Sequence, residues 1–390
     1  MNSPDIQIEV FGKTDVGLIR EHNEDNLLMA DLGGDLRESE LDAPAKFALT
    51  ERGALFLVCD GMGGAAAGEV ASQMAVDAVH ETMVSAEPSA HEQFARGLRR
   101  AVEIANDRIF QQSRDNQSER GMGTTCTAAA LMDDTLMVAQ IGDSRCYVYR
   151  NGKLGQVTKD QSLAWQLIEA GAMTLEDAKA FEHANIILQA LGVQDRVDVV
   201  MSQVKLKRGD LVVLCSDGLH GPVADDEMRD ILAAESDLKK AGEGLLQKAL
   251  ERDGPDNITV ILARFDGQGL ESPTPEDTVG FVAYDPGRDP IADAAEAERA
   301  LASSRIETVP GIAAVKPRRP SGSRSVGSGR RKASSSGSSR VVEESRKRGR
   351  DARSVMILFF VALLAVAVGG ISVLKCERDH ATRGEARQSP

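Results

Sequence analysis

Three aspartates stand where an apolar strand meets a turn, and that repeated arrangement is the first chemical signal in the chain. Leu55 to Cys59 (LFLVC) is followed by Asp60, Gly61, Met62 and Gly63; Leu211 to Cys215 (LVVLC) is followed by Ser216, Asp217 and Gly218. Asp256, in GPDN, directly precedes the apolar run Ile258 to Ala263 (ITVILA). Runs this short and apolar read as strands buried on both faces. A carboxylate at such a strand's end has its backbone fixed by the core and its side chain free at the rim. An Asp-Gly turn accounts for any one of these acids alone. Three from distant parts of the chain cannot gather in a core unless a cation offsets their repulsion. Hard oxygen donors of this kind suit Mn2+ or Mg2+.

The elements that must position these acids follow from periodicity. Ile6, Ile8 and Val10 alternate as a strand with one buried face. Val70, Met74, Val79 and Met83 recur at helical spacing over 68–84, as do Phe94, Leu98, Val102, Ala105 and Ile109 over 92–112. GMGTTCTAAAL and TLMVAQI predict two further strands, and RCYVYR another after a turn at Gly142-Asp143-Ser144. Residues 161–181 read as a helix around Trp165, Leu167, Ile168 and Leu175, and 31–50 as an irregular exposed loop. Strand runs set beside helix runs predict an α+β fold with mainly antiparallel sheets, occupying 5–266, not an alternating βαβ fold.

Charge divides the chain. Residues 1–314 carry 29 basic and 54 acidic side chains, a net of −25, whereas 315–353 carry 13 basic and 3 acidic, a net of +10. A body this acidic argues against nucleic acid as a partner. Cys59, Cys126, Cys146, Cys215 and Cys376 form no CxxC pair, and the first four lie in strand-like segments, the pattern of buried free thiols in a reducing compartment. No zinc-ligand spacing is present.

No signal peptide is expected at the N-terminus. Residues 267–354 are expected to be a disordered linker; within them 321–340 hold nine serines among glycines and arginines, and 321–353 is basic. Val355 to Leu374 is a run of twenty residues without a charge, long enough to span ~30 Å of hydrocarbon as a transmembrane helix. Arg340, Arg346, Lys347, Arg348, Arg350 and Arg353 crowd its upstream flank. That bias predicts a single-pass membrane protein with its large N-terminal part in the cytoplasm and a short extracytoplasmic tail at 375–390.

Six stretches, in this order, resemble the metal-dependent phosphatases of the protein phosphatase 2C family in their bacterial serine/threonine form. They are RxxNED (Arg20, Asn23, Glu24, Asp25), LFLVCDGMGG, GMGTTCTAA, IGDSRCYVYR, LCSDGL and GPDNITV, and they span about 5–266. The resemblance implies two β-sheets packed face to face with helices outside, and two Mn2+ or Mg2+ ions at one end. It implies that Asp60 bridges both ions, that Asp217 and Asp256 complete one, and that the Gly61 carbonyl serves the other. Glu24 would lie near the second ion, with Asp25 and Asn257 in support. Asp143 matches the residue that, with Asp217, holds a third ion in bacterial relatives; a plain hairpin turn is the alternative. Residues 161–192 correspond to a mobile flap. Some relatives carry histidine two residues after the bridging aspartate, as an acid; this chain has Met62 there, as bacterial members commonly do.

The chemistry implied is hydrolysis of phosphoserine and phosphothreonine in proteins, opposing a serine/threonine kinase. Two ions ~3.5–4 Å apart can activate a bridging water for in-line displacement. Arg20 is the donor for the phosphate dianion, unless it is a surface arginine paired with Glu21 or Glu24. Two other readings stay open at this point: a catalytically inactive, membrane-anchored scaffold, and a phosphatase for a small phosphorylated metabolite.

Overall fold

Strand β5 (Ala54–Met62) shows why its sequence is apolar without alternation. Leu55, Leu57 and Cys59 face one core and Ala54, Phe56 and Val58 another, and all six have no exposed surface. Only a central strand covered on both faces permits this. The computed structural model describes residues 5–63, 67–87, 90–174, 177–178, 181, 183 and 186–287. In it β5 lies between β2 (Asp25–Asp31) and β7 (Cys126–Met132); β8 (Thr135–Ile141) and β11 (Val200–Lys205) extend the sheet on one side and β3 (Arg37–Glu38) on the other. The two-residue β6 (Gly123–Thr124) pairs with the end of β5.

The second sheet runs in the order β10 (Lys153–Gln156), β9 (Arg145–Arg150), β12 (Leu211–Cys215), β13 (Ile258–Asp266), β1 (Gln7–Asp15) and β4 (Ala45–Ala48), every pair antiparallel. The sheets meet face to face through a cluster in which the rings of Phe56 and Phe265 pack edge to face at 6.1 Å. Helices α1 (Ala67–Ser85) and α2 (His91–Asp115) cover the outer face of the first sheet with Ala71, Ala75, Val79, Leu98 and Val102. Past the short α3 (Leu163–Glu169), the turn α4 (Asp217–His220) and helices α5 (Asp225–Ala234) and α6 (Leu238–Leu250) cover the second, packing Leu219, Met228, Leu232 and Leu245 on Val213 and Leu262. The α+β class and the two antiparallel sheets with helices outside are as expected. Cys59, Cys126, Cys146 and Cys215 are free and buried.

Three expectations are corrected. Residues 31–50 are not one irregular loop: they contain β3 and β4, and Ala45 to Ala48 pairs with Val10 to Gln7 along the sheet edge. Edge strands need only one apolar face, so Lys46 between Ala45 and Phe47 disguised this one. The helix expected over 161–181 is not continuous: α3 ends at Glu169, the chain turns at Gly171 with φ +68°, and among the described residues Asp177 and Ala178 are helical again. The folded part also runs past 266. Leu270 is 1% exposed, Arg208 N donates to Glu271 O at 2.8 Å, and Tyr284 N donates to Met201 O at 3.0 Å. Residues 282–284 thereby cover the open edge of β11, whose backbone groups would otherwise lack partners.

The linker from 288 onward, the expected transmembrane helix at 355–374 and the tail lie outside the described residues. Among the described residues no helix is long and apolar enough to cross a membrane.

Candidate active site

The ends of β5, β12 and β13 bring the three strand-end aspartates to one rim, and backbone hydrogen bonds fix each in place. Asp60 N donates to Thr125 Oγ1 at 2.9 Å, while Asp60 O accepts from Thr125 N at 2.8 Å and Thr124 Oγ1 at 2.9 Å. Asp25 lies directly opposite Asp60 in the β2–β5 register. Its Oδ2 accepts from Ser216 Oγ at 2.7 Å and Thr259 Oγ1 at 2.6 Å, tying β2, β12 and β13 together beneath the acids. Asp217 opens α4 immediately after β12. The Gly61 position demands glycine: a Cβ there would lie 2.3 Å from Gly68 O and 2.5 Å from Glu24 O.

Asn257 holds the other wall. Its Oδ1 accepts from Glu24 N at 2.8 Å, and its Nδ2 donates to Val16 O and His22 O, each at 2.9 Å. The RxxNED loop is thus fastened to the loop that carries Asp256. Glu24 O accepts from Gly61 N at 3.1 Å and from Ser72 Oγ at 2.6 Å. Asp256 Oδ1 accepts from Asn257 N at 2.9 Å, and Asp256 Oδ2 receives Arg20 Nη2 at 2.6 Å. Arg20 is therefore paired with a candidate ligand, not with Glu21 or Glu24. Its side chain remains 49% exposed, so the guanidinium stands at the mouth of the site.

Asp143 occupies the turn between β8 and β9, where Gly142 has φ +95° and a Cβ would strike Thr125 Cγ2 at 2.6 Å. The turn is joined to Asp60 through Thr125 Oγ1, 2.8 Å from Ser144 Oγ. His220 Nε2 donates to Asp143 O at 3.0 Å; burial, with the charge of Arg145, lowers this imidazole to about 3, so it is neutral. Ser144, Thr125, Ser216, Thr259 and His220 were missed as site residues, although all but His220 sit inside the motifs. Hydroxyls in strand-like runs carry no distinguishing sequence signal.

The electrostatics show what the cluster lacks. Burial, then the charges of Asp25, Asp217 and Asp143, push the Asp60 carboxyl well above the usual range. Burial and then Asp256 raise Asp217. Asp143 is pushed up to about 8, by burial and then Asp217, and Asp25 to about 7, by burial that its two hydroxyl donors only partly offset. Asp25 Oδ1, Asp143 Oδ1 and Asp217 Oδ1 are buried with no hydrogen-bond partner. Such groups ordinarily find a donor or a cation. Among the described residues, no three His, Cys, Asp or Glu side chains already close into a metal cage. Arg20 Nη2 and the backbone N of Asn257 donate to the two oxygens of Asp256, and the acids stand within electrostatic reach of one another. Crowded, oxygen-only and short of donors, the set fits hard divalent ions.

The protein phosphatase 2C family pattern matches residues 40–259, more than half of the chain. The chain belongs to that family. The serine/threonine phosphatase stp of Listeria welshimeri is 37% identical over 256 residues, covering 64% of this chain and 93% of that protein. The crystal structure of the Mycobacterium tuberculosis serine/threonine phosphatase PstP/Ppp superimposes with a TM-score of 0.57 at 32% identity, over 68% of this chain and 99% of that one. The PstP catalytic domain in complex with two manganese ions superimposes with a TM-score of 0.55 at 31% identity, over 67% of this chain and 99% of that one.

Proposed function

We propose that this chain is a metal-dependent phosphoprotein phosphatase that hydrolyses phosphoserine and phosphothreonine, using two Mn2+ or Mg2+ ions. The observation that carries this is the crowding of Asp60, Asp217, Asp143 and Asp25, with three orphaned carboxylate oxygens, beneath the guanidinium of Arg20. Asp60 would bridge the two ions, Asp217 and Asp256 would hold one, and the Gly61 carbonyl the other, with Glu24 nearby and Asp25 and Asn257 fixing the loops. Asp143 with Asp217 would hold a third. When bound, such ions supply an activated water and offset the charge of the phosphoryl group. The two manganese ions of the PstP domain support the reading, as do the phosphatase names of the relatives. Those names also favour phosphoproteins over small metabolites; the opposing partner would be a serine/threonine kinase.

Arg20 binds the phosphate dianion through paired N–H donors. It would also share Asp256 with an ion held there, since Arg20 Nη2 already donates to Asp256 Oδ2. Arg20→Ala is therefore expected to raise KM for a phosphothreonine peptide by roughly 10- to 100-fold, the worth of a charged hydrogen bond. The same variant should bind Mn2+ more tightly, because one competing positive charge is gone. Peptide kinetics and Mn2+ titration calorimetry check both; an unchanged KM would assign Arg20 to the metal site alone.

The uncharged run at 355–374 and its basic upstream flank support a catalytic domain in the cytoplasm, tethered through 288–354 to a transmembrane helix. Deleting 288–390 should leave kcat on a free peptide unchanged and move the protein from the membrane to the soluble fraction. Deleting from 267 should instead destabilise the domain, because it removes Leu270 and the cover of β11. Fractionation and thermal melting of the two truncations distinguish these outcomes.

A further inference from the structure

Nine large apolar side chains are exposed among the described residues, and six of them, Val16, Leu18, Ile19, Ile186, Leu188 and Val193, lie on the two segments that border the acids. The first segment is stitched to the site. Asn257 Nδ2 grips Val16 O and His22 O at 2.9 Å, Leu18 N donates to Gly254 O at 2.9 Å, and Gly17 fits against Asp256 so closely that a Cβ would lie 2.2 Å from its carbonyl. On this fastened backbone Leu18 is 65% exposed and Ile19 68%, immediately before Arg20 in the chain. The second segment runs along the other side. Leu188 N donates to Gln161 O at 2.8 Å, Gln161 N donates to Gly142 O at 2.9 Å beside Asp143, and Leu191 N donates to Thr124 O at 2.9 Å beside Asp60's strand end.

Exposed aliphatic side chains contribute little to folding and are ordinarily scattered singly. Here they are concentrated at the mouth of an acidic site. A peptide that delivers its phosphate to Arg20 has Leu18 and Ile19, exposed and directly before it in the chain, as the nearest apolar surface for its neighbouring residues. An acidic neighbour would meet both apolar side chains and the carboxylates; an apolar neighbour would bury surface on them. Resting on the phosphoprotein phosphatase reading above, we infer that Leu18 and Ile19 form a specificity surface for substrates with an apolar residue next to the phosphorylated one. The occupant is the substrate's own flanking side chain.

The test compares kcat/KM of the full-length chain on two phosphothreonine peptides that differ only in the flanking residues, leucine in one and aspartate in the other. The wild-type chain should prefer the leucine peptide by roughly tenfold, with the difference in KM and not in kcat. Leu18→Ser with Ile19→Ser should bring the ratio near one, while Leu18→Met with Ile19→Val should preserve it. A wild-type ratio of one would overturn the inference, as would a ratio that survives the double serine variant, while leaving the phosphatase reading intact. No phosphate release from either peptide by the wild-type chain with Mn2+ present would overturn both.

Discussion

Asp60→Asn is expected to lower kcat/KM on a phosphothreonine peptide by at least about a thousandfold, into the range seen when a principal electrostatic element of an active site is removed. The amide is close in shape to the carboxylate, and the Asp60 backbone is held by Thr124 and Thr125, so the side chain should stay where it is. What disappears is the charge needed to bridge two cations. The same change relieves the repulsion among Asp25, Asp60, Asp217 and Asp143. The variant should therefore melt higher than wild type in chelator, yet gain less from Mn2+. Loss of activity with a lower melting point in chelator would instead identify an ordinary folding defect. Asp143→Ala provides the contrast: it should lower kcat while both primary ions remain bound, and unchanged kinetics across a Mn2+ titration would return Asp143 to a plain turn residue.

The second large effect is a dependence of stability on pH that a divalent ion reverses. Asp143 is raised from 3.8 to about 8 and Asp25 from 3.8 to about 7, and Asp60 and Asp217 are raised as well. Between the unfolded value and these folded values, the folded chain holds more protons than the unfolded one. Stability must then fall as pH rises through that window. In chelator the melting midpoint should drop from pH 5 to pH 8, roughly 5 °C or more for a domain of this size. Excess Mn2+ replaces the protons as the compensating charge. At 100 times its dissociation constant each ion adds about 2.7 kcal/mol, or roughly 5–10 °C, and does so more effectively at pH 8 than at pH 5. Melting curves at the two pH values, with chelator and with Mn2+, measure this. Midpoints that ignore both pH and metal would remove the acids from any ion-binding role.

How much of this was legible beforehand depended on what each residue does to its neighbours. Asp60, Asp217 and Asp256 could be found because buried strands announce themselves as apolar runs, and an acid at the end of one is conspicuous. Asn257 and Gly61 came only with the family resemblance; the structure gives Asn257 three hydrogen bonds across the loops and Gly61 a space too small for a Cβ. The pairing of Arg20 with Asp256 joins residues 236 positions apart, beyond what local pattern encodes. Ser216 and Thr259, which hold Asp25, lie 191 and 234 positions from it in the chain and look like ordinary strand residues. Two of the errors share a cause. β4 and the segment 267–287 are stabilised by the sheet edges they cover, not by their own composition, so they read as loop and linker.

The most direct test is phosphate release from a phosphothreonine peptide by residues 1–287, stripped of metal by chelator and then titrated with Mn2+. The account predicts no turnover after stripping, full recovery on adding Mn2+, and none in Asp60→Asn at any metal concentration. Turnover that persists undiminished in chelator, or its absence with Mn2+ present, would contradict it.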